Sequence, residues 1–230
     1  MGNTHSMKLN ETEDQYDNVN RWNDTTPTAT VFSIGTSDET NYTDDNHIAY
    51  CFHSVTGYSK FGTYDGTGST GNAITLGFRP AFVMVKRIDA VEDWCMFDST
   101  RSSYTNGINA DGAFNPIVRR HRANEPNAED VETGTNNTLN FTDTGFTWLG
   151  TGGGTNNGSG TYIYMAFAGG MDSISDYNDT GSIDSRVKAN PTYGQSIVSW
   201  IGTGADATVG HGLSSVPEMI ITKRRDGDHW

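Results

Sequence analysis

Apolar residues in this chain come in short alternating bursts separated by turn-forming residues, and no convincing amphipathic helix interrupts them. The bursts SKFGTY, NAITL, AFVMVKR, WCMFD, TLNF, GFTWL and TYIYMAFA are rich in β-branched and aromatic residues. They predict strands over Ser59–Tyr64, Asn72–Leu76, Ala81–Arg87, Trp94–Asp98, Thr138–Phe141, Gly145–Leu149 and Thr161–Ala168. AFVMVKR and TYIYMAFA are the most continuously apolar, which places them at the centre of a sheet with both faces covered. The stretches between, such as DGTGSTG, RIDAVED and GTGGGTNNGSG, are turn chemistry. So many short strands in little over a hundred residues indicate an all-β, two-sheet β-sandwich of jelly-roll or concanavalin-like lectin type, with a closed barrel as the alternative.

The bursts also repeat. Phe61 stands against Ile197, Tyr64 against Trp200, and Gly66-Thr67-Gly68 against Gly202-Thr203-Gly204. GFRPAFVMVKR from Gly77 matches GLSSVPEMIITKR from Gly212 once two residues are inserted before the proline, so Pro80 meets Pro217, Lys86 meets Lys223 and Trp94 meets Trp230. Upstream, VFSIGTSDETNYTDDNHIAYCFH from Val31 matches GFTWLGTGGGTNNGSGTYIYMAFAG from Gly145, with Phe32 on Phe146, Asn41 on Asn156, Ile48 on Ile163 and Phe52 on Phe167. Repetition of this kind indicates an array of units. The expected division is a polar lead and the closing half of one unit in 1–56, a complete unit in 57–169, a polar linker in 170–193 and the opening part of a further unit in 194–230. The sequence is thus expected to be a piece of a longer protein.

Charge narrows the partners. Lys and Arg total 15 against 28 Asp and Glu, a formal net charge of -13, which disfavours nonspecific attraction to nucleic acid or an anionic bilayer. No run is long enough for a membrane span, and MGNTHSMKLNETEDQ lacks the apolar core of a signal peptide. Cys51 and Cys95 each sit in an apolar burst and read as buried free thiols.

The phrases IAYCFHSVTGYSKFGTYDGTGS, GFRPAFVMVKR, DWCMFDSTR and TYIYMAFA together resemble a family of tandem-repeat domains from marine bacteriophage tail-fibre-like and virion-appendage proteins. The resemblance covers Val31 to Trp230 and brings no catalytic residues with it. It implies a virion or extracellular location and a structural or host-recognising role, with host-surface glycans, further copies of the chain or neighbouring units as partners.

For noncovalent glycan binding the candidates are Tyr58, Tyr64, Trp148 and Trp200, together with the WxxxDxxR set Trp94, Asp98 and Arg101. An aromatic face stacks on the C–H surface of a pyranose while charged and amide groups take its hydroxyls. The competing reading of the WxxxDxxR set is a strand end closed by a local Asp98–Arg101 pair. Asp143 to Trp148 resembles an Asp-box but reads as a plain turn entering a strand. Lys86-Arg87, Lys223-Arg224-Arg225 and RRHR at Arg119–Arg122 are basic clusters that read as solvated strand ends. No other cofactor is implied, but calcium has weak candidate ligands in Asp38, Asp44, Asp176 and Asn178 on oxygen-rich loops. A polysaccharide-cleaving glycoside hydrolase is the alternative activity, with Asp65, Asp98 and Asp143 as the suspects. A spacer with no ligand is the third reading.

Overall fold

The structure, a computed structural model, describes residues 4–101, 115–132, 136–169 and 176–226. In chain order its elements are β1 (His5–Ser6), β2 (Tyr16–Asp17), α1 (Val19–Trp22), α2 (Asp38–Asn41), β3 (Ser59–Asp65), β4 (Asn72–Thr75), β5 (Pro80–Arg87) and β6 (Trp94–Asp98). They continue with β7 (Arg119–Arg122), β8 (Asp130–Val131), β9 (Leu139–Thr142), β10 (Gly145–Trp148), β11 (Thr161–Ala168), β12 (Asp176–Asn178), β13 (Ser185–Asn190) and β14 (Gln195–Trp200). All seven predicted strands are present within a residue or two of their expected bounds.

Two antiparallel sheets pack face to face as a sandwich. One has the order β3-β11-β5-β6-β7-β8 and the other β4-β10-β9. Alternation decides what lies between them. Val83 and Val85 of β5, Cys95 and Phe97 of β6, and Tyr164 and Ala166 of β11 face Ile74, Leu139, Phe141, Phe146 and Trp148 of the smaller sheet, all buried in one cluster. Trp148 is fully buried, with the ring of Phe97 edge-on at 5.4 Å. Rings meeting edge to face gain beyond the area they bury.

Of the two strands expected to be covered on both faces, only β5 is. β11 alternates strictly between buried and half-buried positions. The far face of β5 is closed by the N-terminal lead. Lys86, fully buried, donates from Nζ to the carbonyls of Thr12 at 3.2 Å and Arg87 at 2.7 Å. Trp94 Nε1 donates to the Lys8 carbonyl at 2.9 Å, and the backbone amide of Glu92 to Thr12 O. Lys86 is therefore a buried donor rather than a solvated strand end, and desolvation lowers its pKa.

Several strands were invisible to the apolar pattern. β7 is the RRHR segment, and its inward positions are filled by ion-paired side chains in place of apolar ones. Arg120 reaches Asp130 at 2.7 Å and Glu132 at 3.3 Å, and lies 3.7 Å from the Cys95 sulfur. The stretch expected to be a linker likewise carries β12 and β13, which join β14 in a separate sheet of order β12-β13-β14. Cys95 is buried and free as expected, whereas Cys51, also free, is exposed because its segment forms no strand. Trp230, matched to Trp94 in the repeat, lies outside the described residues.

At one end the two layers are tied through the side-chain amide of Asn156. The Asn156 side chain, fully buried, donates from Nδ2 to Ser69 O at 2.9 Å and Gly150 O at 2.8 Å. Its Oδ1 accepts from the Thr67 backbone amide at 2.9 Å and Asn72 Nδ2 at 2.8 Å. The partners lie on the β3–β4 and β10–β11 connections and at the first residue of β4, so this one side chain ties both loops, with Gly68 at φ 62 turning the first of them. Replacement by alanine strands several buried donors and acceptors, each costing about 1–3 kcal/mol. Asn156→Ala is expected to lose roughly 3 kcal/mol or more by urea denaturation, whereas Asn157→Ala, which leaves this set intact, should lose far less.

Candidate functional site

The described glycan candidates divide sharply by burial. Trp148 is in the core and has no face to offer a sugar. Tyr64 packs against the same core, stacked on Tyr162 at 5.0 Å, with its hydroxyl donating to Thr155 O at 2.5 Å. Burial holds its phenol well above the ordinary range. Trp94 is half-buried beneath the N-terminal lead. Tyr58 is half-buried, stacked on Tyr193 at 4.2 Å and tilted against Phe167 at 5.7 Å.

Asp98 and Arg101 are both buried, and they pair with each other. Asp98 Oδ1 also accepts from the backbone amides of Thr100 at 2.9 Å and Arg101 at 2.8 Å, so the local ion-pair reading describes them. Around them lies a charge network. The buried Glu129 carboxylate receives Arg101 at 3.4 Å, Arg119 at 2.5 Å and Arg225 at 2.8 Å, and its backbone amide donates to Arg225 O at 2.7 Å. Arg225 thereby ties the C-terminal segment to the edge of the six-stranded sheet. Beside it, His121 is buried, and desolvation first, then the positive charges of Arg101 and Lys223, push its pKa down to about 3.

The hydrolase suspects are dispersed. Asp65 lies opposite Thr161 at one end of β11 and accepts from its hydroxyl at 3.1 Å, while Asp98 lies beyond Phe82, which faces Phe167 at the other end. Six residues of strand separate those positions, about 20 Å. Asp143 is in the β9–β10 turn of the other layer, held by Arg79 at 2.6 Å. The Asp-box lookalike is thus a hairpin turn.

A third place brings two candidates together near the surface. In the sheet β12-β13-β14, Asn178 lies opposite Ser185 and Ser185 opposite Trp200, so the three side chains share a face in one row. Asn178 and Trp200 are then about 10 Å apart, two inter-strand spacings. Trp200 is 41% exposed. Next to Asn178 opens a cleft of about 510 Å³, lined by Asn178, Thr180 and Gly181 on one side and by the 208–213 segment on the other.

Local chemistry builds this cleft. Asn178 Oδ1 accepts from the Thr180 amide at 2.8 Å, which starts a turn, and Gly181 at φ 103 redirects the chain. The amides of Ser182 and Ile183 then both donate to Thr208 O at 3.0 Å, and Ser185 Oγ to Gly210 O at 3.3 Å. His211 Nδ1 accepts from the Leu213 amide at 3.1 Å. Amides, hydroxyls, an imidazole and the apolar side chains of Val209 and Leu213 line the cleft, and no charged side chain does.

Of the calcium candidates, Asn178 is engaged in this turn. Asp38 stands exposed in the first turn of α2, and Asp44 is exposed at φ 67. The side chain of Asp176 lies outside the described residues. No group of three or more His, Cys, Asp or Glu residues suited to a metal occurs among the described residues. Sequence reasoning missed Thr208 and His211, because only the return of the 208–213 segment across β13 brings them to Asn178.

The fold is that of an all-β sandwich module with an additional small sheet that carries the cleft. The chain belongs to a family defined by a domain of unknown function, DUF7483, whose model matches residues 1–171 and again residues 120–230. No curated protein and no solved structure matches the chain.

His121 gives a pH dependence of known sign. An unfolded histidine takes up its proton near pH 6.5 and the folded one only near 3, so the unfolded state binds more protons below 6.5. Stability is expected to fall by up to about 2 kcal/mol between pH 7 and pH 5, above the range where ordinary carboxylates titrate. His121→Gln should flatten that slope, measured by chemical denaturation at the two pH values; an unchanged slope assigns it to other groups.

Proposed function

We propose that this chain is a noncovalent glycan-binding β-sandwich module of an extended appendage, and that the sequence resemblance to phage virion proteins identifies the kind of particle that carries it. The observation that supports binding is the row Asn178–Ser185–Trp200 beside an uncharged cleft. An exposed indole offers a stacking surface, and the cleft about 10 Å away, two inter-strand spacings, offers amide and hydroxyl groups. That separation suits an oligosaccharide rather than a single ring, since Ser185 between them is buried and bonded to Gly210 O. The chemistry of the lining selects a neutral sugar. An acidic polysaccharide finds no cation in the cleft and meets a chain of net charge -13.

Binding without cleavage fits the placement of the acids. Inverting and retaining glycosidases need two carboxyl groups within about 10 Å of each other across the sugar. Asp65 and Asp98 are about twice that far apart along the strands, and Asp143 belongs to the other layer. A jelly-roll or lectin-type topology accords with this reading but adds nothing to it.

The test is an array of neutral and acidic glycans probed with the full chain. Trp200→Ala is expected to weaken neutral-glycan binding by tenfold or more, while Tyr177→Ala, an exposed aromatic one residue from Asn178 and on the opposite face, should leave it unchanged. Binding should persist in EDTA, since the cleft offers no carboxylate to calcium. Binding that survives Trp200→Ala overturns the site, and a folded chain that binds no glycan favours the spacer.

A further inference from the structure

Two segments on opposite sides of the molecule carry exposed apolar residues over which no sheet lies among the described residues. Residues 46–54 form no strand, yet Ile48 is 79% exposed, and Tyr50 and Phe52 are exposed with it. Residues 217–224 form no strand either, with Ile220 74% exposed between the exposed Met219 and Ile221. Their sequence counterparts are well covered. HIAYCF corresponds to β11, and PEMIITKR to β5. In the sandwich β11 and β5 are direct neighbours, with Met165 opposite Met84 and Ala166 opposite Val83, and β11's other neighbour is β3. The counterpart of β3 is β14, which stands at the edge of its sheet. The first segment is thus a copy of the middle strand, and β14 and the second segment are copies of the two strands that flank it.

The loops repeat the same division. Around Asn156, Nδ2 donates to Gly150 O at 2.8 Å, the backbone amide to Gly152 O at 2.8 Å, and the Thr155 amide to Gly152 O at 3.1 Å. Around Asn41 the same three bonds form, to Gly35 O at 2.8 Å, to Ser37 O at 2.8 Å, and from the Thr40 amide to Ser37 O at 3.0 Å. The loop that Asn156 holds also has a copy. Thr67 Oγ1 donates to Ser69 O at 3.1 Å with Gly68 at φ 62, and Thr203 Oγ1 donates to Ala205 O at 3.4 Å with Gly204 at φ 73. Asn156 is buried in its clamp; Asn41 is exposed. Each half is locally formed, and among the described residues the strand that would complete one is carried by the other. The double match of the family model over overlapping stretches accords with copies of one unit.

We infer that copies of this chain join head to tail by strand complementation, residues 47–52 of one copy entering between β14 and residues 219–223 of the next, with Asn41 closing on the Thr203–Ala205 turn. Within one chain the segments are held apart. Phe52 packs on Phe61 and Phe167 at the β3 edge, while Arg225 is bonded to Glu129 beside β8 at the other edge, five strand spacings or roughly 24 Å away. Transfer of the β11 register places Ile48 opposite Lys223, Tyr50 opposite Ile221, and Cys51 opposite Ile220 on one side and Ser196 on the other. An added strand gains main-chain hydrogen bonds and buries alternate side chains. Donor and acceptor are different surfaces, so the association propagates into rings or filaments instead of stopping at a dimer. This inference is independent of the glycan reading.

Cys51 makes the register testable, because it is exposed and free while Cys95 is buried. Residues directly opposite in antiparallel strands have Cα atoms about 4.5–5.5 Å apart, within disulfide reach. The full chain carrying Ile220→Cys, oxidised and run on a non-reducing gel, should give a ladder of dimers and higher species that disappears in Cys51→Ser. Ile221→Cys, whose side chain points to the other face, should give at least tenfold less. Asn41→Ala should lower the mass that the unoxidised wild-type chain reaches at high concentration in sedimentation. An Ile220→Cys chain that closes on itself as a monomer overturns the second copy as occupant. Absence of cross-linking, or equal cross-linking from Ile221→Cys, overturns the pairing.

Discussion

The fully satisfied amide of Asn156 is the constraint on which the sandwich depends. Two sheets can bury Val83, Val85, Phe97, Phe146 and Trp148 against one another only if the loops that pass between layers hold the strands in register. Glycine-rich loops are poorly suited to that, since glycine gives up the most conformational freedom on ordering. Four hydrogen bonds from one side chain, with no solvent to compete, supply the order that GTGGGTNN and DGTGS lack by themselves. The buried tyrosines add to it. Tyr64 donates to Thr155 O, and the Tyr162 hydroxyl donates to Gly153 O at 2.6 Å while accepting from the Asn157 amide at 2.9 Å. The floor of the core and the loop above it are one hydrogen-bonded unit.

This explains which parts of the fold were legible in the sequence. Strands whose inward positions are apolar announce themselves by alternation, and β3, β5, β6, β10 and β11 did so. β7 did not, because its inward position beneath the loop is Arg120, neutralised by Asp130 and Glu132 from neighbouring β8 and the residues after it. Such a strand has the composition of a solvated segment and the burial of a core one. Charge pairing across strands is a nonlocal property, and a single-sequence period does not contain it. β12 and β13 were missed for a related reason: DYN and SRVKAN gain their cover, at Ser185 and Val187, from the 208–213 segment.

The site was legible only in its residue types. Trp148 and Trp200 both end alternating strands, yet one is at the centre of the core and the other is partly open to solvent. Nothing within β10 or β14 distinguishes them; the difference is whether a second layer lies over the face. Asn178 was singled out for its oxygen and proved to be a turn-former whose amide borders a cleft. Asp98 and Arg101 were singled out as a pair, and they are one, but burial has turned the pair into an anchor for the strand end, with its charge consumed inside the network around Glu129.

A separation of local from long-range order runs through the molecule. The loop around Asn41 makes the same three internal hydrogen bonds as the loop around Asn156, and the turn at Thr203 the same bond as that at Thr67, although neither is buried in a clamp. These conformations are therefore encoded in a few adjacent residues and exist before any layer covers them. The strands behave oppositely: 46–54 and 217–224 share the apolar pattern of β11 and β5 but form no strand, since a strand's hydrogen bonds belong to its neighbours. A protein built this way presents preformed turns beside unpaired apolar segments. That state is costly in isolation, because exposed apolar residues and unpaired strand edges are the surfaces that folded proteins otherwise cover.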